Sequence, residues 1–159
     1  MNMAIDTHIK FDGIEGESAH VDHKGEIEVL SWSWGLTAST TAAGGGSARG
    51  RAKPQELAFT HIYDKASPRL ARSAARGEHI KTAVLTARKA GAGQKDFLKV
   101  TMKEVFITSV SAGTGGDEIL ESIALSYGHI AFSYKPQDSK GALGGEVKFD
   151  WDVRTGQVP

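Results

Sequence analysis

Period two dominates the hydrophobic pattern of the chain. Ile5, Thr7, Ile9 and Phe11 share one parity while Asp6, His8 and Lys10 take the other, which predicts a half-buried strand. Between residues 26 and 36 the pattern changes phase: Ile27 and Val29 share one parity, then Leu30, Trp32, Trp34 and Leu36 take the opposite one. A flip near Leu30 predicts a bulge, or a strand that leaves one packing environment for another as a barrel wall does at a corner. Ser31, Ser33 and Gly35 then form a small polar face opposite the tryptophans, which are expected to fill the core.

Residues 37–55 lose all period. They carry three consecutive glycines, Gly44, Gly45 and Gly46, and a run from Ser47 to Arg51 before Lys53 and Pro54. The stretch is too long for a hairpin loop in a compact domain, and loops of this kind are functional arms or disordered segments. Strand character returns with Leu57, Phe59, His61 and Tyr63 alternating, so the arm joins two strands. One helix is signalled over 68–76: Ser67 as cap, Pro68 at the first helical position, Leu70, Ala71, Ala74 and Ala75 as an apolar stripe, and Gly77 as the left-handed stop. Arg69, Arg72 and Arg76 fall on one side of it, as a solvated face or a contact face.

Four further stretches read as strands: 80–89, 97–110, 118–134 and 147–153, with glycine turns expected at 91–93 and 113–116. In the third, Ile123, Leu125 and Tyr127 give way at Gly128 to Ile130, Phe132 and Tyr134, a second phase switch at a residue that suits a bend. Seven or so strands with one short helix predict a mainly β domain spanning 1–159, an antiparallel barrel or two-sheet barrel with the helix flanking it.

Composition narrows the chemistry. The 159 residues hold 19 Lys and Arg against 19 Asp and Glu, 40% hydrophobic residues and no cysteine. That excludes disulfides, thiolate metal sites and a cysteine nucleophile, and the zero net charge argues against a domain whose main partner is nucleic acid. No uninterrupted apolar run reaches signal-peptide or membrane-spanning length, so the chain is expected to be made in the cytoplasm and, if exported, to leave without a cleaved leader. The glycines from Gly45 to Gly50 mimic a phosphate-binding loop but lack its Lys and Ser or Thr. His20, Asp22 and His23 lie in a polar connection without a third ligand at recognisable spacing and read as a surface turn. His61 and His129 read as structural histidines, and the carboxylate pairs Glu15 with Glu17 and Asp150 with Asp152 as solvated. No catalytic, cofactor-binding or metal-ligating residue is nominated.

The order of features is nonetheless distinctive. Ile9-Lys10-Phe11-Asp12-Gly13-Ile14-Glu15-Gly16-Glu17-Ser18 is followed by Ile27-Glu28-Val29-Leu30-Ser31-Trp32-Ser33-Trp34-Gly35, the glycine arm, and Asp64-Lys65-Ala66-Ser67-Pro68 opening the helix. This combination closely resembles the haemolysin-coregulated protein (Hcp) family, the tube subunits of type VI secretion systems, over essentially the whole chain. The resemblance implies a β-barrel subunit that is not an enzyme and needs no cofactor. It implies a homohexameric ring, stacked into a hollow tube with a spike protein at the tip, a contractile sheath outside and small effectors held inside. The subunit would itself be secreted. On this reading Ser31 and Ser33 are candidates to line the lumen and touch effectors. Thr41, Gly44, Gly45, Gly46, Arg49 and Arg51 are candidates for an arm reaching a neighbouring subunit or ring, and Arg69, Arg72 and Arg76 for a contact face. The competing class is a monomeric β-barrel that binds a small ligand or carbohydrate, with the arm as a lid.

Overall fold

The chain changes sheets where its apolar phase flips. In the computed structural model, which describes residues 4–40 and 49–159, with the side chains of 39, 40 and 49–51 excepted, β1 (Ile5–Phe11) pairs antiparallel with β2 (Ile27–Val29). The next strand, β3 (Ser31–Ser33), pairs instead with β6 (Leu57–Ile62). Leu30 stands exposed between the two and donates its N–H to the Thr60 carbonyl at 2.8 Å.

The ladder runs β2, β1, β7 (Ile80–Lys89), β8 (Leu98–Gly115), β9 (Glu118–Ser126), β6, β3, with β10 (His129–Tyr134) on the free edge of β8 and β11 (Val147–Asp152) on β10. All pairings in it are antiparallel. The 18-residue β8 belongs to both sheets. Its first part pairs with β7 and β10 and its second part with β9. The change falls at Glu104, whose φ of 53° is the one positive value at a non-glycine among the described residues, the local distortion expected of a bulge that redirects a strand. Of the forms expected from sequence, the two-sheet one holds and a closed barrel does not. β2 and β3, the two ends of the ladder, are joined through Leu30 by main chain alone.

The second phase switch also marks a change of partner. At Gly128 the chain leaves β9 for β10, and the Gly128 N–H is shared between the carbonyls of Lys103 and Glu104 at 2.9 and 3.2 Å. A Cβ there would lie 3.3 Å from the Glu104 Cβ, a tight contact, and 2.6 Å from its partly exposed carboxylate, which can swing aside.

Between the sheets lie Ile9, Phe11, Ile27, Leu57, Phe59, Leu85, Met102, Ile123, Leu125 and Ile130, all fully buried. All of these but Leu85 and Met102, for which no parity was read, keep the parity read from the sequence. Trp151 is in this core, whereas Trp32 and Trp34 are only partly buried against it. The helix α1 (Ser67–Arg76) packs on β8 through Leu70, with Ser67 and Ser73 also buried and Ala71 and Ala75 exposed, so its buried stripe is narrower and more polar than predicted. Its N-cap is Ala66 rather than Ser67. Asp64 Oδ1 accepts the Ala66 N–H at 2.9 Å while Ser67 Oγ accepts the Asp64 N–H at 3.1 Å. Gly77 ends the helix at φ 64° as expected, with Glu78 donating back to the Ser73 carbonyl. The predicted turn at 113–116 is shorter, since β8 continues to Gly115 and Gly116 and Asp117 alone turn the chain.

Candidate functional site

The small polar face read from Ser31 and Ser33 extends over four strands. Antiparallel register sets Ser31 opposite Thr60, Thr60 opposite Ser122, and Ser122 opposite Ser111. The next row runs Ser33, Ala58, Ala124, Ser109. Both serines of β3 are exposed, as are Ser109, Ser111 and Ser122, while Thr60, Ala58 and Ala124 are half-buried. Side chains in these two rows are hydroxyls and methyls, none of them charged. Such a surface offers hydrogen bonds in every direction without a fixed ion to hold a passing chain. Sequence parity placed only the two β3 serines on it, because the other six residues join through non-local pairing.

Beside this face the predicted arm is partly a β-hairpin. β4 (Leu36–Thr40) and β5 (Arg49–Pro54) form a separate two-stranded sheet, with Leu36 opposite Pro54 and Thr40 opposite Arg49. A long loop without strand pattern, an arm or a disordered segment, was expected over 37–55, so the paired stalk is a correction. Alternation was hidden there by small residues, and the register shifts between Ala38 and Thr40. Thr41, Gly44, Gly45 and Gly46 lie outside the described residues, and of Arg49 and Arg51 only the backbone is described. The stalk is tied at its root. Gln55 donates its N–H to the Gly35 carbonyl at 2.9 Å, and Tyr127 Oη donates to the Gln55 carbonyl at 2.6 Å. Ala52 and Pro54 face Trp151, Val153 and Arg154 across an open groove of about 440 Å³.

Arg69, Arg72 and Arg76 are exposed on α1, as the helical spacing implied. Arg76 pairs with Glu78 at 3.2 Å, and Arg69 lies at a shallow groove with Lys10, Lys24, Glu15 and Glu26. The structure does not bring these arginines together with the serine rows or the hairpin into one site.

The histidines depart further from expectation. His23 is buried rather than in a surface turn, with Nδ1 2.9 Å from Glu26 Oε2 and Nε2 3.0 Å from Asp96 Oδ1. Arg88, also buried, donates Nε–H to Asp96 at 2.7 Å and Nη1–H to Asp22 at 2.8 Å. Those hydrogen bonds hold Asp22 and Arg88 firmly ionised. At Asp96, burial pushes the carboxyl upward, but hydrogen bonds from Arg88 and His23 outweigh it and leave it below the ordinary range. Separations of 65 to 73 residues kept this network out of reach of motif spacing. His61 is fully buried with Nε2 2.8 Å from Glu121 Oε1, and its Nδ1, like that of His129, has no hydrogen-bond partner. Burial raises the Asp64 carboxyl near it. Among the described residues no group of three or more His, Cys, Asp or Glu side chains could hold a metal ion, and no helix is long and apolar enough to cross a membrane.

An antiparallel two-sheet β protein with a hairpin standing off it and a neutral face beside that hairpin defines the class, and the comparisons narrow it. Residues 8–134 match the family model described as "Type VI secretion system effector, Hcp". The chain is 41% identical over 157 residues to the Hcp1 protein of Pseudomonas aeruginosa, covering 96% of this chain and 97% of that one. Among solved structures it is similar to Hcp1 of Salmonella typhimurium, with 34% identity, a TM-score of 0.82, and 99% and 100% of the two chains covered. A second, described as a type six secretion system protein, has 31% identity and a TM-score of 0.90, with 98% and 100% covered. The chain belongs to the Hcp family of type VI secretion systems.

Proposed function

We propose that the protein is a subunit of the inner tube of a type VI secretion system. It closes into a homohexameric ring, stacks with further rings into a conduit, and carries small effector proteins along the lumen while being exported itself. The spike at the tube tip and the contractile sheath are its assembly partners. Family membership supports this reading, and the observation that carries its finer part is the pair of uncharged rows across β3, β6, β9 and β8. A conduit wall should wet its cargo without gripping it. Hydroxyls and methyls with no fixed charge suit that need, since a desolvated ion pair to cargo would slow release. The hairpin β4–β5 suits docking on a neighbour, because an isolated two-stranded hairpin gains little by itself and gains burial when it is covered. In this reading Arg69, Arg72 and Arg76 sit on the outer, sheath-facing side.

Size-exclusion chromatography with light scattering, followed by negative-stain images of the main peak, tests the assembly: a hexamer mass with annular particles is expected. A compact monomer under varied salt, with a melting point that shifts with small ligands, would instead favour a ligand-binding barrel. Ser33→Gln tests the lumen. Rings should still form, with weaker retention of co-purifying effectors; intact mutant rings that retain cargo as the parent does would remove Ser33 from the cargo-facing surface.

A further inference from the structure

The outer face of β1 and β7 is covered by the chain's own connection, residues 12–26, folded back as a strap. Register puts Asp6 opposite Arg88 and His8 opposite Thr86 on this face, away from the apolar core. His8, Thr86 and Arg88 are nevertheless buried, at 4%, 6% and 6% exposure. The strap is closed by its own backbone: Gly16 N–H to the Gly25 carbonyl at 2.8 Å, Gly25 N–H to Ser18 at 2.8 Å and Ser18 N–H to Glu26 at 2.9 Å.

Three imidazoles meet beneath it. His8 stacks on His23 with ring centroids 4.7 Å apart and planes 11° from parallel, and His20 completes the group at 5.4 Å from His8 and 5.6 Å from His23. Their proton positions are constrained differently. Both nitrogens of His23 face carboxylates. Nδ1 of His20 accepts the Asp22 N–H at 3.2 Å and so carries no proton in this arrangement. Nδ1 of His8 is buried with no hydrogen-bond partner.

From the geometry of this cluster we infer that residues 12–26 form an acid-released latch, held shut by the uncharged His8 ring stacked on His23 and opened when His8 takes up a second ring proton. The groups facing His8 explain the direction. From the strap come His20 and His23, with Asp22 and Glu26 behind them engaged elsewhere; from β7 comes Arg88, already paired with Asp22 and Asp96; from β2 comes Glu28, its register partner; on its own strand lies Asp6. Burial, His23 and His20 push the His8 pKa down from 6.5 to about 4, against a smaller opposing pull from Asp6. In the open strap the ring returns to water and to its ordinary affinity for protons, so acid favours the open form. Opening uncovers Thr86 and Arg88 on the outer wall and takes only Ile14 from the edge of the apolar core, whose buried members all lie outside residues 12–26.

Amide hydrogen exchange on the full chain, read as protection factors corrected for intrinsic rates, tests the latch. Gly16, Ser18 and Gly25 should lose roughly 30-fold in protection between pH 7.5 and 5.0, the ratio given by the two proton affinities, while amides of β8 and β9 keep theirs. His8→Phe preserves a flat ring for stacking and removes the proton, so its strap should stay protected at pH 5.0. The same acid loss in His8→Phe as in the parent overturns the latch. Should that variant fail to fold, NMR titration of the His8 ring in the parent decides: a midpoint near 6.5, or a depressed midpoint without loss of strap protection, overturns it, and a depressed midpoint with that loss sustains it.

Discussion

Trp34 donates its indole N–H to the hydroxyl of Tyr127 at 2.5 Å, and the same hydroxyl donates onward to the Gln55 carbonyl at 2.6 Å. One phenol thus joins the entry strand of the hairpin, its exit, and the end of β9. Burial raises the Tyr127 pKa, keeping the proton on the ring for that second bond. Tyr127→Phe removes both bonds and leaves a half-buried indole N–H and a carbonyl without their partner. We expect a loss of about 1–3 kcal/mol in urea unfolding, together with faster exchange of the Gln55 amide at the hairpin root. An unchanged Gln55 amide would show that the hairpin is anchored elsewhere.

The pair His61 and Glu121 sits between β6 and β9 with almost no exposure on either side chain. Glu121→Ala leaves a buried imidazole whose nearest remaining carboxylate is Asp64, 3.9 Å from Nδ1. The expected cost is about 3 kcal/mol, as for other buried pairs broken on one side. Glu118→Ala, at the exposed start of the same strand, is expected to cost under about 0.5 kcal/mol. Equal losses in the two variants would mean that the buried contact contributes nothing special.

Gly16 is fixed by close approach and not by a turn. A Cβ there would fall 2.5 Å from the Glu26 carbonyl oxygen and 2.8 Å from Ile27 Cγ1. Since a backbone oxygen cannot rotate away, Gly16→Ala should cost about 2 kcal/mol and loosen residues 12–26 at every pH. Loosening confined to acid would contradict the steric account.

Stability should fall with acid in two stages. His8 binds its proton more weakly folded than unfolded, so the stability it confers is full above pH 6.5 and declines as pH falls from 6.5 to about 4. Asp96, held below its ordinary value, confers stability that is present above the unfolded carboxylate pKa and lost as pH falls through the lower folded one. Melting temperature should therefore decline between pH 6.5 and 4 and decline again below about 4, with His8→Phe flattening only the first stage. A single decline confined to carboxylate pH would exclude the His8 contribution.

Local pattern carried much of the fold. The flip at Leu30 and the switch at Gly128 each mark a change of strand partner, because side-chain parity reports which sheet face is buried. Gly77 likewise announced the end of α1. What escaped was non-local. The paired stalk of β4 and β5 has too few large side chains to show alternation, and the bend of β8 at Glu104 has no sequence signature. Ser67 falls inside the helix and Ala66 at the cap has no side-chain acceptor, so α1 starts without a side-chain cap while Asp64 ties down the Ala66 amide just ahead of it. His8 looked solvent-facing by parity, since nothing local reveals that residues 12–26 fold back over it. The serine rows were half legible: Ser31 and Ser33 declared the face, and register alone supplied Thr60, Ser122, Ser111 and Ser109.

The single residue between β2 and β3 has a mechanical consequence. Strands held side by side by hydrogen bonds can be peeled apart one bond at a time, and each bond is weak. The two ends of this ladder are instead consecutive in the chain, so a force that pulls β2 and β3 apart acts on the covalent backbone at Leu30. The two sheet edges that meet there cannot drift apart while the chain is whole.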